Sequence, residues 1–265
     1  MTYDRTLIQI RERSFLDLMD LALLVVRRRP GKLLLAAAIG IIPLTLLNCW
    51  MFSNYWPAPL LDNDPTNWLL VLFLEAPWAT APLTVMLGGL MFDRPPKTLA
   101  FAERVVRALP SFILVHVLLR GVLGITFFLL PIIPGRLWFA SEVILLERTG
   151  GFKALRRCSQ LSTDRFGPFF RMAVAQLGFG VVFVLCFWVG TGAITSTVFK
   201  RSLTWEAPSF SAWSIFRLQL GVWTAIAFFS IARFLIYIDQ RIRAEGWELK
   251  LRLQTVGREL AEGRS

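Results

Sequence analysis

Five of the ionisable side chains inside the apolar stretches of this 265-residue chain are the candidates to do chemistry. A charged group at membrane depth costs about 3 kcal/mol on insertion scales, so each one is a candidate functional residue. Helical rise, about 1.5 Å per residue, gives the depth of each group within its stretch. The five candidates are Glu75, His116, Arg120, Glu142 and Arg233.

One interpretation makes these groups functional. They would line a polar cavity that takes a lipid headgroup, an ion or a proton. Pro77 and Pro82 lie close to Glu75 in the same stretch and would leave backbone carbonyls free beside the cavity.

The other interpretation makes the same groups structural. Glu75 and Arg120 have similar depths and would form a buried pair that fixes helix register. His116 and Glu142 match in depth in the same way. Arg233, near the inner end of its stretch, would extend its guanidinium to the headgroups. The sequence favours this second interpretation and leaves the first one open.

Enzyme signatures are absent from the sequence. With one histidine in the chain, two-histidine zinc motifs are excluded, and no Gly-rich phosphate loop or Gly-x-Ser-x-Gly elbow occurs. Ser141 beside Glu142 matches no catalytic spacing. Cys49, Cys158 and Cys186 are unspaced, so we interpret them as packing residues. The sequence predicts a protein that is not an enzyme, with no cofactor and no metal site.

The elements that must position these groups are apolar helices. Hydrophobic residues make up 55% of the chain, too many for a soluble domain of this size. About 20 apolar residues cross a bilayer, and five of the six apolar stretches reach that length. The predicted spans are Leu33–Phe52, Trp68–Phe92, Pro110–Leu130, Ile132–Leu146, Pro168–Phe199 and Ala212–Ile238.

Basic residues alternate between the two sides of these spans. The N-terminal arm, the loops after the second and fourth spans, and the C-terminal tail are rich in Lys and Arg, whereas residues 53–67 contain neither. Short basic loops stay in the cytoplasm, so both termini are predicted to be cytoplasmic in a bacterial inner membrane. Even parity then requires the short Ile132–Leu146 stretch to cross. Acidic residues before the first span favour a retained helix over a cleaved signal peptide.

Three cytoplasmic segments have helical amphipathic spacing. They are Ser14–Arg27, Thr98–Leu109 and Gly151–Ser162. Each precedes a proline at the start of a span. The fold prediction is therefore an all-α polytopic membrane bundle with six transmembrane helices, three amphipathic interfacial helices and both termini cytoplasmic.

The chain is interpreted as a single domain, 1–265. Each amphipathic helix with its following hairpin forms a unit of an internal pattern, and the units are 14–92, 98–147 and 151–238. Residue identity between the units is weak, so the alternative is that interfacial helices simply fill the cytoplasmic loops.

The tail, 239–265, begins with opposite charges four residues apart, which predicts a helical extension of the last span. Its motif residues are Asp239, Arg241, Arg243, Glu245 and Gly246. Glu103 and Glu147 are the cytoplasmic carboxylates expected to accept its arginines.

The net charge of +11 has two interpretations. Nucleic-acid binding is disfavoured, because the basic residues lie beside apolar spans, where anionic lipid headgroups would select them. The lipid-contacting residues are predicted to be Arg27, Arg28, Arg29, Lys32, Arg156 and Arg157. The plainer alternative is that these charges only set the topology during insertion.

Several motifs of the C-terminal half resemble one bacterial family. They are Pro134–Trp138, Val143–Glu147, Ala154–Ser159 and the ending Tyr237–Trp247. Together they resemble the membrane domain attached to some glycerophosphodiester phosphodiesterases and its free-standing relatives. The 265 residues contain no hydrolase domain, so the phosphodiesterase activity does not carry over.

The resemblance implies a helical membrane module that partners other proteins. The functional prediction is accordingly a non-catalytic scaffold or partner subunit in the membrane. The competing prediction is a transporter or lipid-binding protein that uses the polar groups inside the membrane.

Overall fold

The computed structural model describes residues 15–54, 65–91, 106–119, 121–122, 137–147, 149–162, 166–199 and 212–244. Within these ranges the chain is helical apart from short turns, and no strand occurs in them. The all-α prediction is confirmed for this part of the chain. In order, the helices are α1 (Phe15–Arg28), α2 (Pro30–Asn54), α3 (Pro65–Met91), α4 (Val106–Leu119), α5 (Ala140–Glu147), α6 (Gly151–Ser162), α7 (Phe166–Phe199) and α8 (Ala212–Ala244).

Four of these helices, α2, α3, α7 and α8, are long and apolar enough to cross a membrane. They match the first, second, fifth and sixth predicted spans. The described part of the third span is α4, a shorter apolar helix. The described helix of the fourth, α5, has 8 residues and covers about 12 Å at helical rise. Residues 123–136 lie outside the described ranges, so the six-span count stays a prediction.

Helices α3 and α8 form the centre of the bundle. They contact each other, α2 packs against α3, and α7 packs against α8. Helix α1 lies against α8 and α2, while α5 contacts α3 and α6. Because each long helix is apolar on nearly every side, small residues decide where two of them approach closely.

Glycines mark the closest helix contacts. A Cβ added at Gly40 of α2 would collide with the Ala79 carbonyl oxygen of α3, so these two backbones touch. Between α7 and α8, a Cβ at Gly221 would lie 3.0 Å from the Phe187 ring. Small residues therefore let α2 reach the backbone of α3, and let α8 take the Phe187 ring of α7 against its own backbone.

The predicted amphipathic helices are found where the structure describes them. Helix α6 has the bounds predicted for it, and α1 is shifted by one residue. Of the segment Thr98–Leu109, only the residues from Val106 onward are described. Val106 to Leu109 are already helical, and the helix continues through Pro110, so no helix break separates the two predicted segments there. The start of a span at Pro110 stays a prediction.

Candidate functional site

Helix α5 lies at the most polar part of the protein interior. All residues from Ala140 to Leu145 are buried, and they include Ser141 and Glu142. The Glu142 side chain has no exposed surface, and Arg233 of α8 donates from Nε to its Oε1 over 2.7 Å. This ion pair joins residues that are 91 positions apart in the chain.

The position of Glu142 in its helix suits a carboxylate. It is in the first turn of α5, where the helix dipole stabilises an anion. The pair is only half satisfied, however. Glu142 Oε2 and Arg233 Nη2 are buried and have no hydrogen-bond partner among the described residues. A buried pair of this kind tolerates the loss of neither partner, because the remaining charge would be uncompensated.

His116 lies on the other side of α5. Its Nε2 is 3.2 Å from the Ser141 hydroxyl, and both side chains are buried. His116 occupies a π-helical segment of α4, Ile113–Leu119, a distortion that occurs often at functional positions. The Phe112 ring packs on the imidazole at 4.7 Å between centroids. Ser141 and Glu142 thus connect α5 to α4 and to α8.

Glu147, at the end of α5, accepts two hydrogen bonds and lies near a second basic side chain. Tyr237 of α8 donates its hydroxyl over 2.8 Å, and Arg157 of α6 donates from Nε over 3.3 Å. Arg241 Nε, also from α8, lies 3.9 Å away. An anion at a helix C-terminus faces the negative end of the dipole, so these donors supply the stabilisation that the helix does not.

Three aromatic rings pack against each other beside α5. Phe139, directly before α5, meets Phe169 of α7 edge to face at 5.2 Å between centroids and lies 5.8 Å from the Tyr237 ring. All three rings are fully buried. This packed aromatic surface adjoins the polar contacts of α5, and a hydrogen bond beside such surface is stronger than in water.

Glu75 belongs to a separate polar contact. It accepts a 2.7 Å hydrogen bond from the buried Asn48 amide, which joins α3 to α2. Along the helices this contact is nearer the end of α2 that leads to residues 55–64, whereas Arg233 is nearer the opposite end of the bundle. The predicted site residues thus divide into two groups.

The buried pairs expected from depth matching need correction. Among the described residues Glu142 pairs with Arg233, not with His116, and His116 bonds to Ser141. Arg233 binds Glu142 instead of extending to the headgroups. Arg120 lies outside the described residues, so its pairing with Glu75 stays a prediction.

The predicted lipid-contacting residues occupy different surroundings. Arg27, Arg28 and Arg29 are exposed where α1 meets α2, and so is Lys32. On α6, Arg156 is exposed, whereas the neighbouring Arg157 turns inward to Glu147 and is half-buried.

The tail motif is helical as far as Ala244. Arg243 donates to Asp239 over 2.9 Å, which is the predicted pairing four residues apart. Arg241 approaches Glu147, one of the two carboxylates expected to accept the arginines of the tail. Glu245 and Gly246 lie outside the described residues, as does Glu103.

Cys158 of α6 faces the same cluster and is fully buried. Burial raises the pKa of its thiol to about 12, and the nearby Glu142 and Glu147 carboxylates act in the same direction. A thiol in this state is a poor nucleophile, because reaction needs the thiolate. Its placement agrees with a packing role.

Sequence reasoning missed three partners at these sites. Asn48, Ser141 and Tyr237 are polar residues within apolar stretches, but neutral side chains carry a weaker signal there than charges do. Tyr237 lies four residues from both Arg233 and Arg241, so one face of α8 carries all its contacts to α5. That spacing was the available signal.

Comparisons with known protein families, with curated proteins and with solved structures found no match. What the arrangement can do is therefore judged from its geometry. It joins α4, α6 and α8 to one short helix through side chains that bond mostly to each other.

Proposed function

We propose that this protein is a non-catalytic membrane scaffold or partner subunit, and that its intramembrane polar residues fix the packing of its helices. The observation that carries the proposal is that Glu142 and Glu147 both bond across helix boundaries, to Arg233 and to Tyr237 with Arg157. Such contacts position helices relative to one another. The resemblance to the membrane domain of glycerophosphodiester phosphodiesterases, stated from the sequence, supports the same role.

The proposed setting is the bacterial inner membrane. Six crossings with both termini cytoplasmic follow from the charge of the loops. Reporters fused after Ser265 and inserted at Asp62 test this topology, and they should report opposite sides of the membrane. The same side for both would contradict it.

The scaffold role predicts that partner binding does not need the charges of Glu142 and Arg233, provided that the helices still pack in the same way. The double variant Glu142→Leu with Arg233→Leu removes both charges together and should fold, because an ion pair replaced by apolar side chains of similar volume is often neutral in stability. Affinity purification in mild detergent then compares the proteins retained by this variant and by the wild type. Under the scaffold proposal the two sets are the same, in stoichiometric amount.

A transporter or lipid-binding protein is the second candidate. One observation favours it: the unpartnered Glu142 Oε2 and Arg233 Nη2 offer an acceptor and a donor to a small polar molecule. Under this alternative the double variant would fold yet lose a ligand-induced gain in thermal stability that the wild type shows. A partner set that is lost in a well-folded double variant would also contradict the scaffold role.

A further inference from the structure

Helix α1 has two apolar faces, and only one of them is buried in the part of the chain that the structure describes. Leu18 and Ala22 are buried against the core cluster that also contains residues of α8. On the opposite face Leu16, Leu23 and Leu24 are 63%, 56% and 44% exposed. Leu23 and Leu24 follow Leu16 by seven and eight positions, which places all three on one side of the helix.

A basic elbow, defined as Arg27, Arg28, Arg29 and Lys32, follows this face. The backbone stays hydrogen-bonded through the elbow, from Arg29 N–H to the Val25 carbonyl at 3.2 Å and from Leu33 N–H to the Arg29 carbonyl at 3.3 Å. The backbone that carries the four basic side chains is therefore held in a regular helical conformation. All four are exposed, and none pairs with a carboxylate of the described residues.

The elbow also has a defined depth. It lies at the end of the first candidate span, which begins at Pro30. An exposed leucine face next to basic residues at the edge of a span has the chemistry of an interfacial helix, which buries apolar side chains at the boundary of headgroups and acyl chains. Basic residues beside a span attract anionic headgroups.

We propose that α1 and the basic elbow form a docking surface for anionic phospholipid, with Leu16, Leu23 and Leu24 at the acyl boundary and the elbow on headgroup phosphates. This inference rests on the proposed membrane insertion. It is narrower than the expectation from sequence, because Arg157 is engaged by Glu147 and is left out of the surface. Charge complementarity selects anionic over zwitterionic lipid.

The test measures lipid binding to the full-length protein in mild detergent by native mass spectrometry, with phosphatidylglycerol and phosphatidylcholine as probes. One variant combines Arg28→Gln, Arg29→Gln and Lys32→Gln. A matched control combines Arg107→Gln, Lys153→Gln and Arg171→Gln, which removes the same charge from exposed positions on α4, α6 and α7 and leaves the predicted lipid-contacting residues in place. Thermal unfolding of each variant checks that it is folded.

The wild type should bind phosphatidylglycerol at least about tenfold more tightly than phosphatidylcholine. The elbow variant should lose most of that preference, since each basic residue near the surface contributes about a fivefold factor. The control should keep it. Equal losses in the two variants would show a response to net charge alone and would overturn the proposal, and so would an elbow variant that binds like the wild type.

Three further measurements separate other outcomes. Changing Leu16, Leu23 and Leu24 to Asn should weaken phosphatidylglycerol binding without unfolding the protein, because these side chains are exposed. If glycerol phosphate displaces the lipid completely, the surface is a simple anion site and the proposal is wrong. Carbonate extraction of cell membranes tests membrane insertion itself, so a protein that stays in the membrane but has no lipid preference contradicts this inference alone.

Discussion

Helices α5 and α7 are opposites in this protein. Helix α5 has 8 residues, contains two carboxylates, and is buried from Ala140 to Leu145. Helix α7 has 34 residues, is among the most apolar helices, and has no fully buried side chain between positions 170 and 198. The short helix with two carboxylates is buried in the interior, and the long apolar helix lies at the edge.

Under the proposed membrane insertion, the difference follows from the solvent. In lipid, apolar side chains gain nothing by leaving the surface, so a uniformly apolar helix such as α7 has no reason to be central. Polar groups have such a reason, because lipid satisfies neither charges nor hydrogen bonds. Glu142 and Glu147 therefore draw α5 into the bundle, where Arg233 and Tyr237 can bond to them.

The largest expected effect is on α5. Glu142→Ala leaves Arg233 without its carboxylate partner and should lower the free energy of unfolding by about 3 kcal/mol. Denaturant titration in mixed micelles measures the loss. Val182→Ala on the exposed face of α7 is the control and should change stability little. A similar loss in both variants would remove the distinction between the two helices.

A second prediction compares two glycines. Gly40→Ala puts a methyl group against the Ala79 carbonyl and should cost about 2 kcal/mol by overpacking. Gly178→Ala on α7 meets no heavy atom within 4 Å, and better helix propensity should make it neutral or slightly stabilising. Thermal unfolding in detergent distinguishes the pair. A stable Gly40→Ala protein would mean that α2 and α3 are not at backbone contact.

The third prediction concerns a single hydroxyl. Tyr237→Phe removes the 2.8 Å hydrogen bond to Glu147 and should lower stability by about 1 kcal/mol. Thr224→Val is the matched control on α8, because the Thr224 hydroxyl is exposed and bonds to the carbonyl of Leu220 in its own helix. If both variants lose the same amount, the Glu147 contacts contribute nothing specific.

Much of the fold was readable from the sequence, because span length and amphipathic period act along the chain. The helices α1, α6, α7 and α8 were placed to within a few residues for that reason. No helix break marks Pro110, since proline is allowed in a first turn and is also tolerated within membrane helices.

The pairing of residues in the candidate site was harder to predict from the sequence. Depth matching compares positions along the membrane normal and says nothing about which helices are lateral neighbours. Glu142 was matched to His116 by depth, yet α8 brings Arg233 to it from a position 91 residues away. Lateral neighbours are decided by helix packing, and small residues such as Gly40 control it in ways that periodicity does not show.

The last prediction concerns the chemical reactivity of a buried thiol. Cys158 is buried with a pKa of about 12, so maleimide should not modify it in the folded protein at pH 8. The same thiol should react once the protein is unfolded in denaturant, because its pKa then returns to near 9.0 and the thiolate forms. Mass spectrometry of the labelled peptides decides. Rapid labelling of Cys158 would show that solvent reaches the contacts of Glu142 and Glu147.

The same thiol predicts the direction of a pH effect. The folded protein holds the Cys158 proton more tightly than the unfolded chain, whose thiol titrates near 9.0. Stability is therefore unaffected by this group below pH 9 and falls as the pH rises from 9 towards 12. Cys158→Ala should remove that part of the alkaline loss.

The most direct test of the account is a double-mutant cycle on Glu142 and Arg233, with leucine at each position and unfolding free energy as the readout. If the pair positions α5 against α8, each single variant is destabilised and the double variant recovers most of the loss, with a coupling of at least about 2 kcal/mol. Additive losses in the double variant would show that the two side chains do not act on each other and would contradict the structural role assigned to the buried pair.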